Sequence, residues 1–308
     1  MDIKINNLKK MYGNKVVFEN LNLQFNTGVY GILGPNGAGK SSFIKILTTN
    51  ILEYDGEILV DNIDIKQMTK VYRSMIGYMP QQQAVYDEFT LEQYLYYIGR
   101  LKGISRWRIS KEIDEIVEKV NLSKVIDKKI RTYSGGMKQR AVFAQSILGN
   151  PKLLVLDEPS AGLDPGERVN LRNIIAKNSK NRITIISTHI VSDIEYIADY
   201  IILINKGKIV KVGTPDALKT SIKKRVGVMY LSEEEFDKIK IQYSTRIISK
   251  NNEVIKVNII GDKLPNHCLI ADIDDINLED VYIYYIEEMH TRRRNWNTKF
   301  YWLKMTEV

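Results

Sequence analysis

The sequence predicts an α/β protein whose core is a parallel β-sheet covered by helices. Short runs that are almost entirely apolar recur along the chain, and such runs are typical of strands buried on both faces of a sheet. Segments with apolar residues at helical spacing lie between them. A glycine-rich turn joins the first apolar run to a helix-like segment. The apolar runs are residues 29–33, 153–156, 183–187 and 201–204.

Antiparallel strands are expected on either side of the glycine-rich turn. Residues 2–25 alternate between polar and apolar side chains in pieces, and Tyr12-Gly13-Asn14 offers a turn between two of them. Residues 56–65 read as two more short strands around an Asp-Asn turn. These segments predict an antiparallel β subdomain. A further hairpin is expected at 205–208, after the last apolar run.

The middle and the end of the chain predict two additions to the core. Apolar residues three and four apart in 90–148 predict a helical insertion, which we place at about 82–150. Strand-like and helix-like pieces alternate after Gly213-Thr214-Pro215. We therefore expect a domain at 1–213 and a small α+β C-terminal domain at 214–308.

Length and composition are those of a globular protein. A chain of 308 residues corresponds to about two domains. The single cysteine, Cys268, excludes a disulfide framework and favours a reducing compartment. No stretch approaches the ~20 apolar residues of a membrane span, and the N-terminal MDIKINNLKK lacks the apolar region of a signal peptide. We expect a cytoplasmic protein.

The net charge of +8 is spread along the chain, which favours a solvated, lysine-rich surface over a nucleic-acid-binding one. The exception is the segment 291–304, which interleaves basic and aromatic residues. That mixture suits a membrane interface, a nucleic acid or a protein groove, or else aromatics that pack on their own domain. Its residues of interest are Arg292, Arg293, Arg294, Trp296, Lys299, Phe300, Tyr301 and Trp302.

The glycine-rich turn fits the phosphate-binding P-loop pattern G-x-x-x-x-G-K-[ST] from Gly34 to Ser41. Glycines permit close approach of a ligand to the backbone, and the following helix N-terminus favours an anion. Lys40 supplies a positive charge to phosphates, and the Ser41 hydroxyl is the hard oxygen that Mg²⁺ prefers. The alternative is a glycine-rich turn without a ligand. The predicted nucleotide-binding residues are Asn36, Gly37, Ala38, Gly39, Lys40, Ser41 and Ser42.

Two acids follow the apolar run 153–156. Asp157 comes at the carboxyl end of this strand, where ligands bind in open α/β sheets, and it is a candidate ligand of the Mg²⁺ held by Ser41. Glu158 is the candidate general base that orients or deprotonates an attacking water. The alternative is an acidic pair that only ends a strand. The presence of the P-loop in the same chain favours the catalytic interpretation.

A second glycine-lined helix start occurs in YSGGMKQR, residues 133–140. Ser134, Gly135 and Gly136 can offer a hydroxyl and unobstructed N–H groups to a phosphate. One nucleotide needs only one P-loop, so the economical arrangement places ATP between Lys40 of one copy and Ser134 of another. The alternative is that Ser134 is an ordinary N-cap.

Together these motifs resemble the ATP-binding cassette (ABC) ATPases. The motifs GPNGAGKSS, YMPQ, YSGGMKQR, LLVLDEP, SAGLD and STH occur in the family's order, and the resemblance covers residues 1 to about 213. It implies a P-loop NTPase core that binds ATP with Mg²⁺ and hydrolyses it. Tyr133 and Met137 depart from the commonest form of the third motif, but neither supplies its phosphate contact.

The resemblance also implies roles for four further residues. Tyr12 would stack on adenine, and the less favoured alternative is that it only caps the turn that follows it. Gln81 would contact Mg²⁺ and water; Gln82 and Gln83 follow it, and Pro80 directly before it supports this choice of glutamine. Asp164 ends the SAGLD loop, which would cross a dimer interface. His189 would hydrogen-bond the γ-phosphate and, with Glu158 and Gln81, complete the catalytic set.

The resemblance further implies a transporter subunit that powers export of a drug, peptide or lipid-like compound. Its partners would be a separate transmembrane permease and a second ATPase, either an identical copy or a paralogue, with no nucleic acid. It would lie peripherally on the inner face of the cell membrane. An aromatic surface would accept a permease helix, or these residues would fill the helical core: Tyr86, Phe89, Tyr94, Tyr96 and Tyr97.

Two other functions remain open at this point. One is an importer subunit whose C-terminal domain binds a regulatory ligand. The other is a soluble ABC ATPase acting on ribosomes or DNA, which only the basic tail favours. The segment LEDVYIYYIEE within 278–288 resembles the end of ATPase subunits from drug, antibiotic-resistance and bacteriocin-immunity exporters, and this likeness favours export.

Overall fold

The computed structural model describes residues 1–82, 85–251 and 254–287, so the basic-aromatic segment 291–304 lies outside the described residues. The strands, numbered along the chain, are β1 (Ile3–Tyr12), β2 (Lys15–Phe25), β3 (Gly28–Leu33), β4 (Asp55–Val60), β5 (Ile63–Asp64), β6 (Ile76–Met79), β7 (Leu153–Asp157), β8 (Ile183–Thr188), β9 (Tyr200–Asn205), β10 (Lys208–Gly213), β11 (Val226–Leu231), β12 (Ser244–Lys250), β13 (Ile255–Ile260) and β14 (Leu269–Ile270).

The helices are α1 (Lys40–Leu47), α2 (Thr69–Ser74), α3 (Leu91–Leu101), α4 (Arg106–Lys119), α5 (Gly135–Ile147), α6 (Pro165–Asn178), α7 (Pro215–Ile222), α8 (Glu233–Gln242) and α9 (Leu278–Tyr282). A π-helical turn at Ile283–Glu287 continues α9. Short 3-10 turns lie at Ser123–Val125, Ile130–Thr132, Val191–Asp193, Lys223–Arg225 and Ile273–Asp275.

The central sheet has six strands in the order β10-β9-β3-β8-β7-β6. All neighbours pair in parallel except β10, which forms a hairpin with β9. Every residue of β7 and β8 is buried, which explains their apolar sequences. The parallel core expected from the sequence is therefore confirmed. The carboxyl ends of β3, β6, β7 and β8 lie along one edge, where the candidate site is built.

The antiparallel β subdomain is also present, as a second sheet of order β2-β1-β4-β5. The turn between β4 and β5 holds Asp61 and Asn62 with positive φ values of 49° and 67°, as expected of the Asp-Asn turn. Helices α3, α4 and α5 form the helical insertion. Its core includes Leu91, Tyr94 and Ile113, which are all buried.

The chain after residue 213 contains helices around a third sheet of order β12-β13-β11-β14. Helix α8 covers one face of this sheet, where Phe236 and Ile239 pack near Val257. Residues on the other face, such as Val228 and Ile260, belong to the same buried cluster as residues of the central sheet. Of the strand-like stretch CLIADI, only the two residues of β14 pair with β11, because the chain then turns at Ile273–Asp275.

Candidate functional site

The P-loop joins the end of β3 to the start of α1. Gly37 and Gly39 have φ values of 80° and 110°, in the region that favours glycine. A Cβ on Gly39 would lie 2.8 Å from Cε1 of Phe18, so the loop is also packed too closely for a side chain there. Asn36, Gly37 and Ser41 are exposed, Ser42 is half-buried, and Ala38 is buried. Asn36, Gly37 and Ser41 are therefore accessible to a ligand from solvent.

Lys40 is the cation of this loop, and its side chain is buried. Its Nζ donates to the carbonyl of Gly34 at 2.7 Å and to that of Pro35 at 3.3 Å, and it lies 4.0 Å from Oε1 of Glu158. Burial lowers the pKa of Lys40, although the nearby carboxylates oppose this effect. The ammonium is thus held inside the loop that would surround a phosphate.

Asp157 ends β7 beside the P-loop. Its side chain is buried, and among the described residues its Oδ1 has no hydrogen-bond partner. Burial raises the pKa of Asp157, because a carboxylate loses its hydration there. A buried carboxylate oxygen without a partner is suited to a cation, since buried charges are normally paired or bound to a metal.

Glu158 and His189 form a hydrogen-bonded pair across two strand ends. Nδ1 of His189, directly after β8, lies 2.9 Å from Oε2 of Glu158. Glu158 has a φ of 49°, which is unusual for a residue with a side chain. Its backbone N–H donates to the carbonyl oxygen of Ser187 at 2.8 Å. Since the other carboxylate oxygen faces Lys40, Glu158 lies between a cation and an imidazole.

Gln81 and Tyr12 lie at the ends of strands from two different sheets. Gln81 follows β6 after one proline and is exposed. Tyr12 ends β1, with 46% of its surface exposed, and its ring centroid lies 4.9 Å from Nζ of Lys10. The side chain of Tyr12 is thus partly exposed, and stacking on a base would require one face of its ring.

The second glycine-lined helix start is the N-terminus of α5. Ser134 is its N-cap and accepts a 3.2 Å hydrogen bond from the N–H of Met137, so the ordinary capping contact is present. Ser134 and Gly135 are exposed. In the part of the chain that the structure describes, no hydrogen bond or ion pair joins Ser134 to Lys40, Asp157, Glu158 or His189.

Gly136 is buried against α6, a contact that the sequence did not indicate. A Cβ there would lie 2.2 Å from Oε2 of Glu167, so only glycine lets this carboxylate pack against α5. Nε of Arg140 lies 3.7 Å from the same oxygen. A side chain at position 136 would therefore displace the flexible end of Glu167 and disturb this contact between α5 and α6.

The SAGLD loop connects β7 to α6. Asp164 is the N-cap residue of α6 without a side-chain capping bond, and Pro165 follows at the first helical position. Ser160 is buried, and its hydroxyl donates to the carboxylate of Asp193. Asp193 was missed by sequence reasoning. The sequence showed only that Asp193 lies four residues after His189, and no sequence pattern indicated its contact with Ser160.

The aromatic residues of the helical insertion divide between surface and core. Tyr94 is buried, and its hydroxyl donates to Gln145 at 2.5 Å. Tyr86 and Tyr97 are exposed and pack edge to face, with ring centroids 5.3 Å apart, and Phe89 stacks on Tyr86 at 5.2 Å. Tyr94 thus fills the helical core, whereas Tyr86 and Tyr97 lie at the surface.

Comparison with known proteins agrees with these motifs. The family described as ABC transporter matches residues 18–161. The Bacillus subtilis (strain 168) protein named linearmycin resistance ATP-binding protein LnrL is 32% identical over 227 residues, which cover 73% of this chain and 72% of that protein. The chain belongs to the ABC transporter family. It carries the ATP-binding ATPase domain of that family, as the order of motifs implied.

Longer family members also match. ABC transporter A family member 12 of Arabidopsis thaliana is 40% identical over 228 residues, which cover 71% of this chain. The match spans only 25% of that relative's length. This chain therefore corresponds to about a quarter of such a transporter. Within the described residues, no helix combines the length and apolar character needed to cross a bilayer.

Solved structures of ABC ATPases share the fold. An ATP-binding subunit of an ABC transporter is 25% identical, with a TM-score of 0.63 over 72% of this chain and 93% of that chain. A dimeric ATP-binding cassette in a post-hydrolysis state, bound to ADP and Pi, has a TM-score of 0.61 at 23% identity, over 69% of this chain and 98% of that chain. The second likeness bears on fold alone.

Proposed function

We propose that this chain is the ATP-hydrolysing subunit of an exporter and drives a drug-like, peptide or lipid-like compound through a separate membrane permease. The observation that carries this proposal is the position of Glu158. One of its carboxylate oxygens lies 4.0 Å from the Lys40 ammonium, and the other lies 2.9 Å from His189. A base is thereby placed beside the cation that would bind the terminal phosphates.

The residues present fit ATP with Mg²⁺. Backbone groups from Asn36 to Gly39, together with Lys40, would hold the phosphates, and Tyr12 would stack on adenine. Ser41, Gln81 and Asp157 would hold Mg²⁺, and the unpartnered Oδ1 of Asp157 supports this assignment. Few protein ligands are needed, because Mg²⁺ keeps waters and uses phosphate oxygens as ligands. When bound, the ion neutralises charge on those oxygens.

The protein's own groups would position the attacking water. Glu158 would accept a proton from that water at a carboxylate oxygen. His189 donates from Nδ1 to Oε2 of Glu158 when it carries its proton there, and so fixes the orientation of the carboxylate. Lys40 adds positive charge near the phosphates. Positioning and charge neutralisation of this kind supply most of the catalysis in phosphoryl transfer.

A second ATPase copy, identical or paralogous, would complete the site. Ser134 and Gly135 are exposed at the start of α5, and within the described ranges neither forms a hydrogen bond or ion pair with Lys40 or Glu158 of its own chain. A helix start with accessible N–H groups can bind an anion, here a phosphate held by another copy of the chain. ATP would therefore lie between the P-loop of one copy and Ser134, Gly135 and Gly136 of the other, with Asp164 at the interface.

The transport role is supported by a surface and by a relative. The exposed rings of Tyr86 and Tyr97 provide an aromatic face that suits a permease helix. The relative named for linearmycin resistance favours export of an antibiotic-like compound. We infer a cytoplasmic position on the inner face of the cell membrane, and we expect no nucleic acid.

The decisive experiment uses Glu158→Gln, which keeps the shape of the side chain but removes the base. We expect ATP binding to persist, hydrolysis to fall by at least about 100-fold and a dimer to form with Mg-ATP in size-exclusion chromatography. Glu115→Gln is the matched control, because Glu115 is exposed and pairs only loosely with Lys119 at 3.9 Å. A Glu158→Gln protein that stays monomeric while saturated with ATP would contradict the two-copy site.

The transport partner is tested by capture from detergent-solubilised membranes with the tagged chain. Recovery of a polytopic membrane protein, weakened by Tyr86→Ala, is the expected result. Recovery of ribosomes or DNA instead would argue against the transporter role. Uptake or release of substrate by vesicles that contain the captured complex then decides between export and import.

A further inference from the structure

Asp193 lies in the 3-10 turn that follows His189 and is almost completely buried, with 5% of its surface exposed. A carboxylate in such a place loses most of its hydration, which must be offset by hydrogen bonds or by a nearby cation. The partners of Asp193 therefore show what keeps it there.

One carboxylate oxygen of Asp193 joins two segments of the active site. Its Oδ2 accepts a hydrogen bond from the hydroxyl of Ser160, which lies two residues after Glu158. The same oxygen lies 3.4 Å from Oγ1 of Thr188, the residue before His189. Thr188 Oγ1 in turn accepts the N–H of Ile190 at 3.0 Å. The same two segments carry the Glu158–His189 hydrogen bond, so Asp193 is a second connection between them.

The other oxygen is held more weakly. Oδ1 lies 3.9 Å from Nε of Arg168 on α6, and among the described residues it has no hydrogen-bond partner. Neutral hydroxyls therefore provide the principal contacts of this buried acid. These hydrogen bonds offset part of the desolvation of the carboxylate. They also connect the segment after Glu158 to the segment around His189.

We propose that Asp193 is a positioning residue for ATP hydrolysis. It holds the segment after Glu158 against the segment around His189, and so keeps the two catalytic side chains at hydrogen-bonding distance. The inference rests on the proposed function, since it names what orients the catalytic pair. Among the residues that the structure describes, Asp193 forms no hydrogen bond or ion pair with Lys40, Asp157 or the P-loop, so its effect should fall on turnover rather than on nucleotide binding.

The test compares Asp193→Ala and Asp193→Asn in the full chain. We expect Asp193→Ala to lower kcat by about 10- to 100-fold, because a displacement near 1 Å has effects of this size. The KM for ATP should stay within about twofold, since uniform binding is retained. Asp193→Asn keeps an oxygen that can accept the Ser160 hydroxyl, and should recover most of kcat.

Ser160→Ala completes a double-mutant cycle on kcat. If Asp193 acts through Ser160, the loss from Asp193→Ala should shrink to about threefold or less in the Ser160→Ala background. Ser179→Ala is the matched control, because it also removes a buried hydroxyl, one that donates to Ile175 at 2.8 Å near the end of α6. It should leave kcat unchanged. Should Asp193→Ala not fold, Ser160→Ala alone must still lower kcat with KM unchanged.

Three results overturn the inference. They are a wild-type kcat in Asp193→Ala, a raised KM with unchanged kcat, and fully additive losses in the cycle. Each of these requires that the wild-type chain hydrolyses ATP and that Glu158→Gln does not. If the wild-type chain lacks hydrolysis, or Glu158→Gln retains it, the proposed function fails first, which separates the two failures.

Discussion

Asp280 provides the sharpest test of how the C-terminal part of the chain is held together. Its side chain is fully buried and accepts two 2.7 Å hydrogen bonds from Nε and Nη2 of Arg246. It also accepts from Nδ2 of Asn258 at 3.1 Å and from the N–H of Asn277 at 2.9 Å. One carboxylate thus joins α9 to strands β12 and β13.

We expect Asp280→Ala to lower the free energy of unfolding by about 3–5 kcal/mol. The substitution leaves the guanidinium of Arg246, only 16% exposed, without its counter-ion, and breaking a buried pair in this way has an effect of about that size. The loss is a large part of a typical stability of about 5–15 kcal/mol. For a chain of this length it corresponds to a fall in Tm of roughly 5–15 °C.

Urea unfolding and thermal melts measure the effect. Asp237→Ala is the control, because its carboxylate forms a surface pair with Lys240 at 2.5 Å and should change stability by less than about 1 kcal/mol. Replacing both partners, with Asp280→Leu and Arg246→Met, should restore about half of the loss or more, since no buried charge is left unpaired. A change below about 1 kcal/mol for Asp280→Ala would refute the reasoning.

Two further predictions concern the nucleotide site. Lys40→Ala should weaken ATP binding by about 10- to 100-fold in fluorescent-nucleotide titrations, because charge-assisted hydrogen bonds to phosphate are lost. The control is Lys45→Ala, on the exposed side of α1, which should have little effect on binding. Equal losses of affinity in the two variants would contradict the role assigned to Lys40. Burial raises the pKa of Asp157, so as the pH rises from about 4 the unfolded chain loses this proton first and the free energy of unfolding falls until the folded group has also ionised. Thermal melts across this range should show that Asp157→Asn lacks this part of the pH dependence, and identical profiles for the two proteins would argue against it.

Local patterns allowed much of the fold and the candidate site to be predicted. The P-loop was visible because its glycines, lysine and serine are adjacent in sequence and their conformations are set by neighbouring residues. The buried strands β7 and β8 were visible because burial on both faces demands an unbroken apolar run. His189 and Glu158 could be named for the same reason, since each directly follows one of these strands.

What the sequence did not reveal depends on contacts between distant residues. Strand β6 has only four residues and lies close to α5, where a Cβ on Gly77 would come within 1.9 Å of the Ser146 carbonyl oxygen. Nothing local marks Gly77 as the site of a close approach. In the same way, the pairing of Asp193 with Ser160 and the contact of Glu167 with Gly136 arise only when helices and loops come together.

The buried cluster that extends across residue 213 has a consequence for how the chain melts. Leu203 and Val210 of the central sheet share this cluster with Leu218, Val281 and Ile286. Denaturation of the final segment would therefore strip apolar cover from the ATPase core, and the two should lose structure in a single cooperative transition. A chain truncated at Gly213 would expose this apolar surface and should aggregate rather than fold as a smaller enzyme.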